Sequence, residues 1–241
     1  MKKFITEDSF WELFPQAAVG VVVVRDMKPA SEVSAEDAAE IAKLLDRANG
    51  AAERHLTSDT ISQNEVVAVW RKAYQSFKTK KGARCSIENL FKRVLKGKPV
   101  GSITPSVDIY NTVSLTYALP VGGEDIEAFE GDLRLAVTEG GDAFLPLGED
   151  ADDPTLPGEL AYIDDAGAVC RCWNWRDGVR TALGDDSSSA FLAIECVDPA
   201  RLDDCQAAID MLAELLERYL GATVAVKELV TSDNREIVIA E

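Results

Sequence analysis

The hydrophobic residues in the first half of the chain follow one extended pattern and several helical ones. The run 19–24 is valine at every position but one, a composition typical of a strand that is covered on both faces. Apolar residues then recur at intervals of three and four, which predicts helices at about 35–55, 63–77, 86–97 and 107–117. This half therefore predicts one central strand and a set of helices.

From residue 131 onward the pattern changes to short apolar runs separated by glycine, aspartate and serine. These runs predict a sheet of many short strands, at about 133–138, 143–147, 160–163, 169–175 and 190–197. The chain ends in a helical stripe and two strands, at about 202–220, 223–226 and 236–240. Helices near both ends and strands between them indicate an α+β fold, in which a central multi-stranded mixed sheet is flanked by helices from the N- and C-terminal parts.

Length and composition favour a single domain. With 241 residues, of which 46% are hydrophobic, the chain can bury one sizeable core, so we expect residues 1–241 to form one unit. Five cysteines are an odd number, which favours free thiols in a reducing compartment. No apolar run is long enough for a signal peptide or a membrane span. We therefore expect a cytoplasmic protein with no membrane partner.

Charge is distributed unevenly along the chain. The formal net charge is -17, which argues against a general nucleic-acid coat. Residues 71–98, here called the basic segment, are the exception because they hold ten basic residues and one acidic residue. Such a segment can orient an anionic ligand such as RNA, although a solvated helix face has the same composition.

Most catalytic motifs are absent from the sequence. His55 is the only histidine, and its place at the end of a predicted helix suits a surface residue or a cap better than a catalytic triad. Cys170 and Cys172 supply two thiolates where a structural zinc site needs four ligands, so we expect both to be buried on one face of a strand. No phosphate-binding loop or dinucleotide fingerprint occurs. The sequence therefore predicts no metal and no cofactor.

Polar residues inside the strand region are the candidates for a binding site. Glu195 lies within an apolar run, where a carboxylate must either be paired or point outward from a half-exposed edge strand. Residues 173–176 offer two tryptophans, an amide and a guanidinium, a set suited to holding a small polar molecule. The alternative places the tryptophans in the core and pairs Arg176 with Asp177.

Several motifs together resemble a known family. The features that carry the likeness are 107–113, Pro120, 140–144, 158–164 and the strand around Glu195. They are similar to the tRNA-editing domain of the bacterial phenylalanyl-tRNA synthetase beta subunit, the B3/B4 domain. Motifs that match free-standing proteins built on this domain occur at 13–15, 70–74, 86–90 and 172–176. The resemblance implies an editing-domain core at 84–198, an N-terminal strand and helix extension at 1–83, and a C-terminal helix and strands at 199–241.

The resemblance also implies an amino-acid pocket. In the synthetase, this domain hydrolyses the ester of tyrosine wrongly attached to the phenylalanine tRNA. Carried over by position, Asn111 matches a pocket-lining asparagine, and Glu195 matches the glutamate that recognises the phenolic hydroxyl. Gly122 stands where the synthetase pattern has a pocket histidine. We expect Tyr110 and Trp173 to contact the amino acid together with Glu195 and Gly122.

These roles lead to a predicted function, the trans-editing of mischarged aminoacyl-tRNA by hydrolysis of the aminoacyl ester. The ester is labile, so positioning water and stabilising an oxyanion can suffice, and we assign this work to Asn111, Asn174 and Arg176. We expect tRNA phosphates to contact Arg71, Lys78, Lys80, Lys81, Arg84, Lys92, Arg93 and Lys96. The alternatives are a non-catalytic module that binds tRNA or an amino acid, and a degenerate domain kept for protein partnership. The sequence leaves the oligomeric state open.

Overall fold

Six α-helices and ten strands form the fold of the computed structural model, which describes residues 1–241. The helices are α1 (Asp8–Leu13), α2 (Ala35–Ala52), α3 (Glu65–Ala73), α4 (Ser86–Leu95), α5 (Pro105–Tyr117) and α6 (Leu202–Leu220). The strands are β1 (Lys2–Thr6), β2 (Ala18–Arg25), β3 (Val121–Asp125), β4 (Leu133–Val137), β5 (Leu160–Asp164), β6 (Gly167–Arg171), β7 (Arg176–Asp177), β8 (Ala190–Cys196), β9 (Thr223–Val230) and β10 (Glu236–Ala240). None of these helices combines the length and the apolar composition that crossing a membrane requires.

The strands form two sheets rather than one continuous sheet. One sheet has six strands in the order β10-β1-β4-β5-β6-β7, in which β1 and β4 are parallel and the other neighbours are antiparallel. The other sheet has four antiparallel strands in the order β3-β8-β2-β9. The predicted α+β class is confirmed, and the six-stranded sheet is the mixed one.

β2 is the central strand that its valine-rich sequence predicts. It is hydrogen-bonded between β8 and β9, and all of its residues from Ala18 to Val24 are buried. Its odd-numbered valines belong to a core shared with Phe4 of β1 and with other residues of the six-stranded sheet. Its even-numbered valines belong to a second core beneath α5 and α6. The four-stranded sheet is therefore the middle layer of the fold, between the other sheet and the helices.

α6 packs directly on the back of β2. Ile209 and Leu212 on its apolar stripe are fully buried in the core beneath the helix. A Cβ atom on Gly20 of β2 would lie 2.7 Å from the Ile209 side chain, so this close approach requires glycine. α5 packs beside α6 and against α2, which completes the helical layer.

The turn after β6 differs from the sequence prediction. The apolar run at 169–175 predicts a strand to its end, but β6 stops at Arg171. Cys172 and Trp173 have left-handed backbones with φ values of 47° and 67°, a conformation that non-glycine residues rarely adopt. The chain therefore turns sharply here, so the prediction that Cys170 and Cys172 share one strand face is wrong.

A buried ion pair holds this turn. The Arg171 guanidinium donates hydrogen bonds of 2.9 and 2.6 Å to Glu159, and both side chains are fully buried. Glu159 Oε1 also accepts a hydrogen bond of 2.9 Å from the Cys172 amide. Burial alone would raise the pKa of Glu159, but the hydrogen bonds and charge of Arg171 hold it below its ordinary value. The turn is thus anchored to a charge pair that solvent does not reach.

Trp173 extends from this turn into the core. Its ring centroid lies 4.8 Å from Phe14, 4.9 Å from Trp70 and 5.4 Å from Phe10. The sequence pattern did not predict α1, which contains Phe10 and ends just before Phe14. An N-terminal element therefore packs onto the turn through aromatic contacts of a geometry common in protein cores.

Candidate functional site

A cavity of about 70 Å³ lies between the two sheets, next to the edge strands β3 and β7. Its apolar lining includes Val121, Leu133, Val169, Phe191 and Ala193. Its polar lining consists of Ser86, Glu124, Tyr162, Cys170, Asn174, Asp177 and Glu195. Three carboxyl groups therefore border one small space with largely apolar walls. We call this space the acidic cavity.

Glu195 is buried in β8, an inner strand of the four-stranded sheet. Its Oε1 accepts a hydrogen bond of 2.9 Å from the Tyr162 hydroxyl, which crosses from the other sheet. Its Oε2 is buried without a hydrogen-bond partner. Burial raises the pKa of Glu195 to about 8. Hydrogen bonding to Tyr162 and to the Asn174 side chain opposes this shift, and the charge of Asp177 adds to it. A half-exposed edge strand, the alternative considered for Glu195, is therefore excluded.

Two further carboxyl groups line the same cavity. Glu124 extends from β3, is buried, and has one oxygen without a hydrogen-bond partner. Asp177 is half-buried in β7. Burial raises the pKa values of both carboxyl groups, and the charge of Asp177 raises that of Glu124 further. The acidic cavity therefore favours a ligand that brings hydrogen-bond donors or positive charge.

Two weaker acids lie close to these carboxyl groups. Tyr110 is half-buried on α5, and its pKa is raised by burial first and then by the charges of Asp177 and Glu124. Burial also raises the pKa of the Cys170 thiol. Both groups therefore remain protonated at neutral pH. All five cysteines of the chain are buried and unpaired.

Asn174 connects the acidic cavity to the basic segment. Its Oδ1 accepts a hydrogen bond of 2.9 Å from the Tyr74 hydroxyl, and its backbone carbonyl accepts one of 3.1 Å from the Ser86 amide. Its Nδ2 is buried without a partner. Asn174 therefore brings a hydrogen-bond donor to the cavity, near the Glu195 carboxyl, on a side chain that is held at its other end.

Four predicted site residues are not part of the cavity lining, namely Tyr110, Asn111, Trp173 and Arg176. Asn111 is buried on α5, and Trp173 is enclosed in the aromatic core. Arg176 lies at the surface, where it donates a hydrogen bond of 2.9 Å to Glu149 rather than pairing with Asp177. Of the seven residues predicted to contact the amino acid or the ester, Gly122, Asn174 and Glu195 line the acidic cavity.

Gly122 also lines the cavity and leaves space there. No heavy atom lies within 4 Å of the position that a Cβ atom would take at this residue. The strand register sets Gly122 opposite Ala193, which lines the same cavity. The cavity is therefore open at the position where the synthetase pattern has a histidine.

The basic segment contains both paired and free side chains. Arg71 and Arg84 contact the buried carboxylate of Glu88, Arg71 through hydrogen bonds of 2.9 and 2.6 Å. Lys80 forms an ion pair with Asp153. The other predicted tRNA contacts are at least partly exposed and form no ion pair, namely Lys78, Lys81, Lys92, Arg93 and Lys96. These free charges are the ones available to phosphates.

A surface cleft lies along the basic segment, on the other side of the cavity wall. It is lined in part by Trp70, Arg71, Tyr74, Arg84 and Cys85. Cys85 is followed by Ser86, which lines the cavity, and Tyr74 donates its hydrogen bond to Asn174. The cleft and the acidic cavity therefore share a wall made by these neighbours.

The only histidine, His55, lies in the helical part of the fold, away from the acidic cavity. His55 is half-buried just after α2, and its Nε2 lies 3.3 Å from the Thr116 carbonyl oxygen. Burial lowers the pKa of His55, so the ring is neutral at pH 7. It is not among the residues that line the acidic cavity.

Sequence reasoning did not select Glu124, Asp177 or Tyr162 as site residues. Glu124 and Glu195 are far apart in sequence, and only the antiparallel register of β3 and β8 brings them to one cavity. The only feature of the sequence that could have indicated one of these three residues is the position of Asp177, directly after the polar residues 173–176. No group of three or more His, Cys, Asp or Glu side chains is arranged to hold a metal ion.

The fold and the site define an α+β protein with an acidic cavity between two packed sheets. The chain belongs to the B3/4 domain family, whose sequence pattern matches residues 69–221. The resemblance seen in the sequence is thereby confirmed.

A solved structure shows the same fold. The chain is similar to an N-terminal fragment of the phenylalanyl-tRNA synthetase beta subunit from Pyrococcus horikoshii, with a TM-score of 0.50 and 10% sequence identity. The match covers 97% of this chain and 53% of that fragment, so this chain spans about half of its length. The comparison with curated proteins gave no significant match.

Proposed function

We propose that this protein hydrolyses the aminoacyl ester of mischarged tRNA in trans. The tRNA is held by the basic segment, and the amino acid enters the acidic cavity. The observation that carries this proposal is the wall shared by a surface cleft along the basic segment and a cavity with unpartnered polar groups. Membership of the B3/4 family supports it. The unpaired thiols of all five cysteines agree with a cytoplasmic location, which is part of the proposal.

Asn174 is the strongest candidate for stabilising the reaction. Ester hydrolysis places negative charge on the carbonyl oxygen as water attacks, and a fixed hydrogen-bond donor stabilises that charge. The Tyr74 hydroxyl shares its proton between the Cys172 carbonyl and Oδ1 of Asn174, and the Nδ2 group, near the Glu195 carboxyl, is the donor for the developing oxyanion. The reaction then needs only a positioned water, because the ester is reactive by itself.

Ester loss from a panel of mischarged tRNAs, followed against buffer alone, tests the activity. We expect the protein to accelerate hydrolysis of at least one ester, and Asn174→Ala to slow it by about 100- to 1,000-fold. Tyr74→Phe removes a contact that holds Asn174 but leaves the Nδ2 donor, so it should slow hydrolysis by less than Asn174→Ala. Glu217→Gln, at an exposed position of α6, is the control and should leave the rate unchanged. If the wild-type protein matches buffer on every tRNA, the proposed activity is wrong.

Binding of tRNA tests the role of the basic segment. Replacing Lys81, Lys92, Arg93 and Lys96 with glutamate is expected to weaken binding, measured by fluorescence anisotropy across a series of salt concentrations. Each lost phosphate contact should reduce the slope of log K against log salt by roughly 0.7 to 0.9. Lys43→Glu, a charge reversal on the exposed face of α2, is the control and should leave the slope unchanged. The same slope in the fourfold variant would identify the basic segment as a solvated face.

The second candidate function is binding without hydrolysis. The open space at Gly122, where the synthetase pattern has a histidine, favours it. A protein that binds tRNA with the predicted salt dependence, yet leaves every ester intact, would have this function.

A further inference from the structure

We propose that the acidic cavity receives the side chain of a cationic amino acid, a short aliphatic chain that ends in an ammonium group. The esterified state of that amino acid rests on the proposed function, whereas the recognition of its charge rests on the cavity alone. The ligand class differs from the phenol that the family resemblance implies.

The carboxyl groups of the cavity have no cation to pair with. Glu124, Asp177 and Glu195 form no salt bridge, and the neighbouring arginines are bound elsewhere. Arg176 pairs with Glu149, and Arg180 donates hydrogen bonds of 2.8 and 2.6 Å to Asp164. The cavity therefore holds an excess of negative or proton-binding groups that the chain itself leaves uncompensated.

Two of these carboxyl groups have an oxygen without a partner, where a bound ammonium group would take the place of the proton that burial favours there. Oε2 of Glu124 and Oε2 of Glu195 are buried without partners, and the two residues are only 6% and 2% exposed. Removing such an oxygen from water without a partner is unfavourable, so a bound donor would recover the lost interaction. An ammonium group supplies three donors and a positive charge.

The walls of the cavity suit the apolar stem of an organic cation. No cluster in the protein is arranged to hold a metal ion. Val121, Leu133 and Val169 provide apolar walls suited to methylene groups.

A phenol is disfavoured as the ligand because the phenol of Tyr162 already occupies the hydrogen-bonding position at Glu195. The hydroxyl of Tyr162 donates its hydrogen bond to Oε1 of Glu195, the interaction that a tyrosine ligand would need. The oxygen left over, Oε2, is buried without a partner in a space that two further carboxyl groups also line. The raised pKa values of Glu124, Asp177 and Glu195 agree with an uncompensated acidic cluster.

Calorimetric titration with two amides tests the inference without any hydrolysis. Lysinamide and norleucinamide share the α-ammonium group and a four-carbon side chain, and they differ in the terminal ammonium group. We expect the wild-type protein to bind lysinamide about 100-fold more tightly or better, because a site built for a charged donor rejects an analogue without it. Equal affinities, or tighter binding of norleucinamide, would overturn the proposal.

Variants and tRNA substrates then separate this inference from the proposed function. Glu195→Gln and Glu124→Gln should each reduce the preference for lysinamide, whereas Glu217→Gln on the exposed face of α6 should preserve it. The comparison of lysinamide with norleucinamide on the wild-type protein tests the inference even if a variant fails to fold. Selective binding without hydrolysis of lysyl-tRNA would uphold the cationic ligand and refute the hydrolase. Hydrolysis of esters with neutral side chains, without selective binding of lysinamide, would uphold the hydrolase and refute the cationic ligand.

Discussion

Replacing Arg171 with methionine is expected to lower the free energy of unfolding by about 3 to 5 kcal/mol at pH 7. Methionine fills much of the space of the arginine stem, but it leaves the fully buried carboxylate of Glu159 without its partner. The change also weakens the turn that holds Asn174, because Arg171 fixes the Glu159 carboxylate that accepts the hydrogen bond of the Cys172 amide. Urea unfolding of the wild-type and variant proteins measures the difference.

The double variant Arg171→Met with Glu159→Gln is the control for this prediction. It removes both charges, so much of the lost stability should return. The pKa of Glu159 is held low in the native state, so its contribution is present above its unfolded pKa and is lost as pH falls through the native value. The gap between wild type and the single variant should therefore narrow in acid. A gap that is equally wide at every pH would show that packing, not charge, is responsible.

Glu195→Gln is expected to raise the free energy of unfolding relative to the wild type, and to do so at alkaline rather than acidic pH. The pKa of Glu195 is raised from 4.5 to about 8 by burial, so the folded protein binds a proton that the unfolded chain has released. Wild-type stability should therefore fall as pH rises from about 4.5 to 8, by about 3 to 5 kcal/mol from this group. Glutamine does not titrate, and its side-chain oxygen can still accept the hydrogen bond from Tyr162.

Unfolding of both proteins at pH 5 and pH 9 measures this effect. The variant should gain on the wild type by about 3 to 5 kcal/mol between the two conditions. Glu217→Gln, which changes an exposed carboxylate, should show no such gain. A difference that stays constant from pH 5 to pH 9 would mean that Glu195 titrates normally in the folded protein.

Elements that depend on local pattern could be predicted from the sequence. The valines of β2 and the helical stripe of α6 are strong periodic signals, and each element lies within a few residues of its expected bounds. β1 and α1 were missed because each is only five or six residues long and their apolar residues do not form a clear repeat. The division into two sheets was also missed, since strand pairing depends on contacts distant in sequence.

The candidate site was only partly predictable for the same reason. Glu195 stood out because a carboxylate in an apolar run needs a physical explanation. Arg176 was expected at the site, but the left-handed turn at Cys172 and Trp173 sends it to the surface. Tertiary packing thus places the residues of one contiguous motif in three different environments. Trp173 lies in the core, Asn174 lines the cavity and Arg176 lies at the surface.

The buried cysteine thiols can be used to measure local opening of the structure. Alkylation requires an accessible thiolate, so each cysteine reacts only when the structure around it opens. Cys172 lies in the core between the two sheets, whereas Cys205 lies in the core beneath α6. Rates of labelling at these positions would therefore report separately on separation of the sheets and on detachment of the helical layer. A ligand that enters the cavity should slow the labelling of Cys170, which lines it, before that of any other cysteine.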